Sequence, residues 1–159
     1  MILLLLAFLS FHYIIDFIRL ENNGFKGTLP ASIGAISNLE WLQFDNNGFT
    51  GTIPNEWSSL TRLHTLRVSH NDITGQLPAF LGNLPMIHIS VDNTKLAGDI
   101  PTTLGQLSVL RDMYLQVTDL QGNMPDEICK LFETGDITIL TADCSNKEEI
   151  VCDCCTKCF

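Results

Sequence analysis

No cysteine stands before Cys129 in this 159-residue chain. No disulfide framework can run through the body of the molecule, which must hold itself together by burial alone. Charge is scarce as well: 17% of residues are charged and only 9 are Lys or Arg. The basic residues fall singly, as at Arg19, Lys26, Arg62 and Arg67, against 18 acidic residues and a net charge of -9. Nucleic acid would be repelled by that balance and is excluded as a partner. The chain has no G-x-S-x-G, H-E-x-x-H, P-loop or dinucleotide fingerprint, so no enzymatic activity, cofactor or metal is expected. No Asn is followed two positions later by Ser or Thr, which removes the standard N-linked glycosylation site. The one apolar run, MILLLLAFLSF, ends before His12 and Asp16. A membrane-spanning helix needs about 20 apolar residues.

What is present is a repeat. Gly-x-[Leu/Ile/Met]-Pro occurs five times, starting at Gly27, Gly51, Gly75, Gly98 and Gly122, and the spacing between copies never varies by more than one position. The period, roughly 24 residues, is that of stacked-repeat architectures. Seven residues before each Gly is an apolar residue: Leu20, Phe44, Val68, Val91 and Leu115. Two before that is a second: Ile18, Leu42, Leu66, Ile89 and Met113. A third stands two before each Gly: Phe25, Phe49, Ile73, Leu96 and Leu120. A polar column completes the pattern: Asn23, Asn47, Asn71, Thr94 and Thr118. With 45% hydrophobic residues arranged this way, disorder is excluded.

The alternation Ile18-x-Leu20, Leu42-x-Phe44 and onward has the period of a strand, one short strand per repeat. Stacked, these strands form a parallel sheet. The Asn/Thr column is expected to run as a ladder that satisfies main-chain groups where the chain leaves each strand. Thr94 and Thr118 should loosen it, since a hydroxyl cannot copy both ends of an amide. Gly permits the bend and Pro presets φ, and the apolar pairs that follow, such as Ile33 with Ile36 or Trp57 with Leu60, suit a turn of 3₁₀ or short α-helix.

This pattern, seen best in LEWLQFDNNGFTGTIP from Leu39 to Pro54, resembles the plant-type leucine-rich repeat over about residues 15–144. The ending CDCCTKCF resembles the tail of leucine-rich-repeat proteins from diatoms and related algae. The resemblance implies an α/β repeat fold. It would be a right-handed solenoid with short parallel strands on the concave face, 3₁₀ or short helical turns on the convex face, and a cysteine-rich C-terminal cap.

Three regions follow. Residues 1–14 are an apolar leader, read as a clipped signal, an anchor or the truncated edge of the solenoid. Residues 15–128 carry five repeats of the same period. Residues 129–159 hold a degenerate sixth repeat and the cap. In the sixth, Ile137 and Ile139 are expected to take the columns of Met113 and Leu115, with Ala142 in the Asn column and Cys144 in that of Leu120. The six cysteines, Cys129, Cys144, Cys152, Cys154, Cys155 and Cys158, are expected to staple the cap in an oxidising compartment, Cys129 and Cys144 each bridging to the tail. A metal-thiolate cluster and a free-thiol tail are the alternatives.

Outward strand positions form four columns. They read Phe17, Trp41, Thr65, His88, Asp112; Arg19, Gln43, Arg67, Ser90, Tyr114; Glu21, Asp45, Ser69, Asp92, Gln116; and Asn22, Asn46, His70, Asn93, Val117. Trp41, Gln43, Asp45, Arg67, His70, His88 and Tyr114 are the candidate ligand-binding residues, because aromatic and Arg side chains dominate recognition surfaces. The bland reading of Trp41 is that it packs on Phe17. By resemblance, the expected function is non-enzymatic recognition of a protein, peptide or glycan. The expected location is secreted, or on the extracellular face of a membrane with attachment through flanking sequence. The alternative is a structural or adhesive surface protein whose cysteine tail crosslinks it to neighbours.

Overall fold

The computed structural model describes residues 15–134, 137–144 and 150–159. The leader, residues 1–14, lies outside the described residues. Each of the six repeats contributes one strand, and the C-terminal tail a seventh, to a seven-stranded parallel sheet. In order these are β1 (Phe17–Arg19), β3 (Trp41–Gln43), β5 (Thr65–Arg67), β7 (His88–Ser90), β9 (Asp112–Tyr114), β11 (Ile139–Ala142) and β13 (Lys157–Cys158). The register pairs equivalent residues: Trp41 with Thr65, Thr65 with His88, His88 with Asp112. Five 3₁₀ or helical segments follow the prolines: Ala31–Ala35, Asn55–Ser59, Ala79–Asn83, Thr102–Gln106 and the helix α1 (Asp126–Glu133).

A second sheet was not expected. Six strands, β2 (Lys26–Thr28), β4 (Gly48–Gly51), β6 (Asp72–Gly75), β8 (Lys95–Asp99), β10 (Asp119–Asn123) and β12 (Ile150–Val151), stack in parallel on the other flank. The first five of them carry the Gly-x-[Leu/Ile/Met]-Pro bends, and Gly27, Gly51, Gly75, Gly98 and Gly122 all hold φ between 77° and 96°, where a Cβ is strained.

The three apolar columns meet between the sheets. Leu42, Leu66, Ile89 and Met113 are wholly buried, as are Phe44, Val68, Val91 and Leu115. Trp57 is wholly buried as well; its ring stacks on Phe44 and its indole N–H donates to the Pro30 carbonyl at 3.1 Å, so the large polar ring sits in the core with its donor satisfied. In the first repeat Ile18, Leu20 and Phe25 are only half-buried, since no described strand lies outside β1.

The convex turns approach very closely at glycines. A Cβ on Gly34 would stand 2.3 Å from the Glu56 carbonyl oxygen, and one on Gly82 would stand 2.2 Å from that of Thr103. The equivalent position in the second turn is Ser58, and there the second and third turns stand further apart. An open groove of about 990 Å³ lies at that seam, with Asn55 and Glu56 on one side and Ala79 and Phe80 on the other.

The sixth repeat corrects the expected register. Ile139 pairs with Asp112 and Leu140 with Met113, three positions later in the chain than the regular spacing would place them. Leu140 and Ala142 therefore take the columns of Met113 and Leu115, and Ile137 takes that of Leu110. Ala142 is not in the Asn column, nor Cys144 in that of Leu120. The cause is α1, longer than the 3₁₀ turns it replaces, which lengthens the path from Pro125 to the strand by the same amount.

Candidate ligand-binding face

The outward columns form one continuous face, as the register requires. An open cavity of about 600 Å³ runs along it, and all seven candidate residues line it: Trp41, Gln43, Asp45, Arg67, His70, His88 and Tyr114. Asp92, Asp112, Ser69 and Ser90 complete the walls.

Trp41 is both packed and tethered. Phe17 meets its ring edge-on at 5.1 Å between centroids, Arg19 lies 4.8 Å over it, and its indole N–H donates to His64 Nε2 at 2.9 Å. The packing on Phe17 is present, yet Trp41 keeps a half-exposed surface toward the cavity. His64, which sequence reading did not single out, is fixed in turn by Thr65 Oγ1 at 3.2 Å from its Nδ1. Its signal was only its place beside the strand.

Carboxylates dominate the floor. Asp45, 5% exposed, pairs with Arg67 Nε at 3.2 Å and accepts the Ser69 N–H. Burial holds its carboxyl above the ordinary value of 3.8; the Arg67 guanidinium and the Ser69 N–H pull the other way without prevailing. Asp92 accepts from the hydroxyls of Ser69 (2.6 Å) and Ser90 (2.9 Å) and from the Asn93 amide (2.9 Å). Asp112 meets His88 Nδ1 at 2.8 Å and accepts from Thr138. Burial first, then the Asp112 charge, pushes the Tyr114 hydroxyl up, opposed by Arg67.

His70, Ser69, Asp45 and Asp92 lie together, but not as a nucleophile and its base. Ser69 Oγ donates to Asp92 rather than to His70, whose Nε2 is 3.8 Å from the same carboxylate. A serine nucleophile with a histidine base requires a hydrogen bond between the two, and Ser69 directs its hydroxyl to Asp92 instead.

The ladder has the expected form at Asn47 and Asn71. Asn71 Nδ2 contacts the carbonyls of Phe44, Val68 and Ser69, and its Oδ1 accepts the Phe49 N–H. Asn47 does the same one repeat earlier, reaching Leu20 and Phe25. Among the described residues, Asn23 reaches carbonyls of its own turn, Leu20 and Glu21. Thr94 retains the Val91 carbonyl alone. Thr118 donates to the Leu115 carbonyl and accepts the Leu120 N–H at 3.4 Å, and both oxygens of Asp143 accept the Val117 and Thr118 N–H groups, which in earlier repeats go to backbone carbonyls of the next turn. The fourth outward column holds an unexpected feature: Asn22, Asn46, His70, Asn93 and Val117 all have φ of 53–57°. Asn tolerates that left-handed conformation, whereas a β-branched Val is strained in it.

Residues 38–60 and 62–84 match the family described as Leucine Rich Repeat. No curated protein matches the chain by sequence. Among solved structures it is similar to the plant peptide hormone receptor RGFR1 in complex with RGF2. Identity is 35%, over 79% of this chain and 20% of that one, with a TM-score of 0.73. The Arabidopsis receptor kinase HAESA LRR ectodomain, in complex with an N-terminal extended IDA peptide hormone ligand, is 28% identical over 84% of this chain and 21% of its own, with a TM-score of 0.70. The matched residues are leucine-rich repeats, and the chain folds as a leucine-rich-repeat solenoid similar to these plant receptor ectodomains. It spans about a fifth of the length of those two receptor chains. A plant ice-binding protein shares the fold at 24% identity, over 85% of this chain and 43% of that one, with a TM-score of 0.73.

A leucine-rich-repeat solenoid needs its last core layer covered, and here the cysteine tail covers it. Cys129 on α1 bonds Cys154, Cys144 after β11 bonds Cys158 on β13, and Cys152 bonds Cys155. Both long-range bridges run from the last repeat to the tail, as expected. Thr156 adds a hydrogen-bonded clasp on the backbone of Leu140. With every sulfur paired, no thiolate is left for a metal cluster. Among the described residues no helix is long and apolar enough to cross a membrane.

Proposed function

We propose that this chain is a non-enzymatic recognition module, working outside the cell, that binds a protein, peptide or glycan ligand on its concave face. The observation that carries the reading is the open cavity of about 600 Å³, lined by all seven outward residues of binding character. The similarity to receptors solved with peptide hormones favours a peptide or protein among these ligands. The extracellular setting is supported by three disulfides, which persist in oxidising media. The crosslinking alternative loses its chemistry, since all six cysteines pair within the chain.

The test is partner capture from secreted and surface material by wild type and by the combined Trp41→Ala, Arg67→Ala, Tyr114→Ala variant. Loss of the captured partner in a variant that still melts cooperatively supports the reading. Undiminished capture contradicts it.

A further inference from the structure

The cations of the concave face are turned away from its acids. Arg19 lies over the rings of Trp41 (4.8 Å) and Phe17 (5.7 Å). Lys157, at the far end of the same row, lies 4.2 Å over the ring of Phe159. Among the described lysines and arginines of the face, Arg67 alone meets one of its carboxylates, that of Asp45, while His70 and His88 lie beside Asp92 and Asp112. The row that follows reads Glu21, Asp45, Ser69, Asp92, Gln116 and, at the register the sixth strand adopts, Asp143. Asp45, Asp92 and Asp112 line the cavity, with Arg67 as the one guanidinium beside them. The hydroxyls and amides that bond these carboxylates spread their charge but do not cancel it. Burial penalises the charge of Asp45 on this floor, and Arg67 and the Ser69 N–H offset that penalty only in part.

We propose that the concave cavity takes an extended, cationic polypeptide segment with Lys or Arg at about every third residue. The spacing comes from the sheet. Neighbouring strands lie about 4.8 Å apart, so Asp45 and Asp92, two strands apart, are separated by roughly 10 Å, and Asp92 and Asp143 by the same. A segment laid across the strands as a polyproline-II helix advances about 3.1 Å per residue with three residues per turn, so every third side chain returns to the same face after roughly 9 Å, close to the spacing of the carboxylates. The half-buried Tyr114 ring in the cavity wall offers a surface on which a guanidinium can stack. This inference rests on the concave face being the ligand site.

The probe is a synthetic peptide with arginine at every third position and Gly/Ser spacers, titrated calorimetrically onto the full chain. Two controls carry the same composition with the arginines contiguous, or glutamate in place of arginine. The spaced arginine peptide binds, the contiguous one binds less tightly, and the glutamate one does not bind. Raising salt from about 0.05 to 0.5 M weakens the interaction about tenfold, as expected for charges in a partly open cavity. The combined Asp45→Asn, Asp92→Asn variant weakens it by a similar factor. No binding at about 1 mM spaced peptide overturns the proposal, as does equal affinity for the spaced and contiguous peptides. Binding of the glutamate peptide that depends on Trp41, Arg67 and Tyr114 overturns the charge inference and leaves the concave-face reading standing. Cationic peptide that binds the Asp45→Asn, Asp92→Asn variant as tightly as wild type overturns the charge inference.

Discussion

Asn71 holds Phe44, a residue one full repeat away: its amide Nδ2 donates to the Phe44 carbonyl at 3.0 Å. The same side chain bonds Val68 and Ser69 in its own turn and receives the Phe49 N–H. One amide thus fastens two repeats.

Removing that side chain leaves buried main-chain groups without partners, at about 1–3 kcal/mol. Asn71→Ala is expected to cost that much and Asn47→Ala somewhat less, because Asn47 is less buried. Thr94→Ala should cost least, since among the described residues that side chain bonds the Val91 carbonyl of its own turn and no carbonyl of the preceding repeat. Urea melts of the three variants give the order, and equal losses would deny the ladder its role.

Val117 is a β-branched residue at φ 57° with 54% of its surface exposed. Replacing it removes strain and sacrifices little burial. Val117→Asn, the residue the column uses elsewhere, should stabilise by about 1 kcal/mol. A lower melting temperature in the variant would mean that the strain is not there.

The convex turns make an opposite pair of predictions. A methyl group at Gly82 collides with the Thr103 carbonyl, so Gly82→Ala should cost about 1–3 kcal/mol. Ser58→Ala lies at the looser seam and should change stability by less than about 0.5 kcal/mol. Thermal melts of the two single variants compare them directly.

Asp45 yields a pH prediction. Its folded-state carboxyl is held above the ordinary value of 3.8, so the folded state binds that proton more tightly than the unfolded chain does. The stability this contributes is complete below 3.8 and is lost as pH rises through the raised value. Asp45→Asn has no such loss, and its amide oxygen can still accept the Ser69 N–H. The melting temperature of the variant relative to wild type should therefore climb between acidic and neutral pH. A relative decline over that range would reverse the assignment.

The repeat was legible because it speaks five times at a fixed spacing, and any one copy corrects the others. The concave columns followed from strand alternation, so the placement of Trp41, Arg67 and Tyr114 on one face could be read in advance. The sixth strand slipped out of the period because α1, a local helix with its own apolar face, lengthens the repeat and Leu140 replaces Ile137 in the inward column. The second sheet left no alternating pattern, its strands being short and bent at glycines such as Gly51 and Gly75. His64 acts across repeats from a position outside any column, and Asp143 enters the third outward column only through the slipped register of the sixth strand. The disulfide partners had fifteen combinations, and only packing of the tail beside α1 and β11 selects one.

The most direct test of concave-face recognition is paired photo-crosslinking. A photoreactive residue is introduced at Gln43 on the concave sheet and, separately, at exposed Ser108 beyond the fourth convex turn. The account predicts a covalent partner adduct from position 43 and none from 108. An adduct from 108 with none from 43 would place the ligand on the opposite face and contradict it.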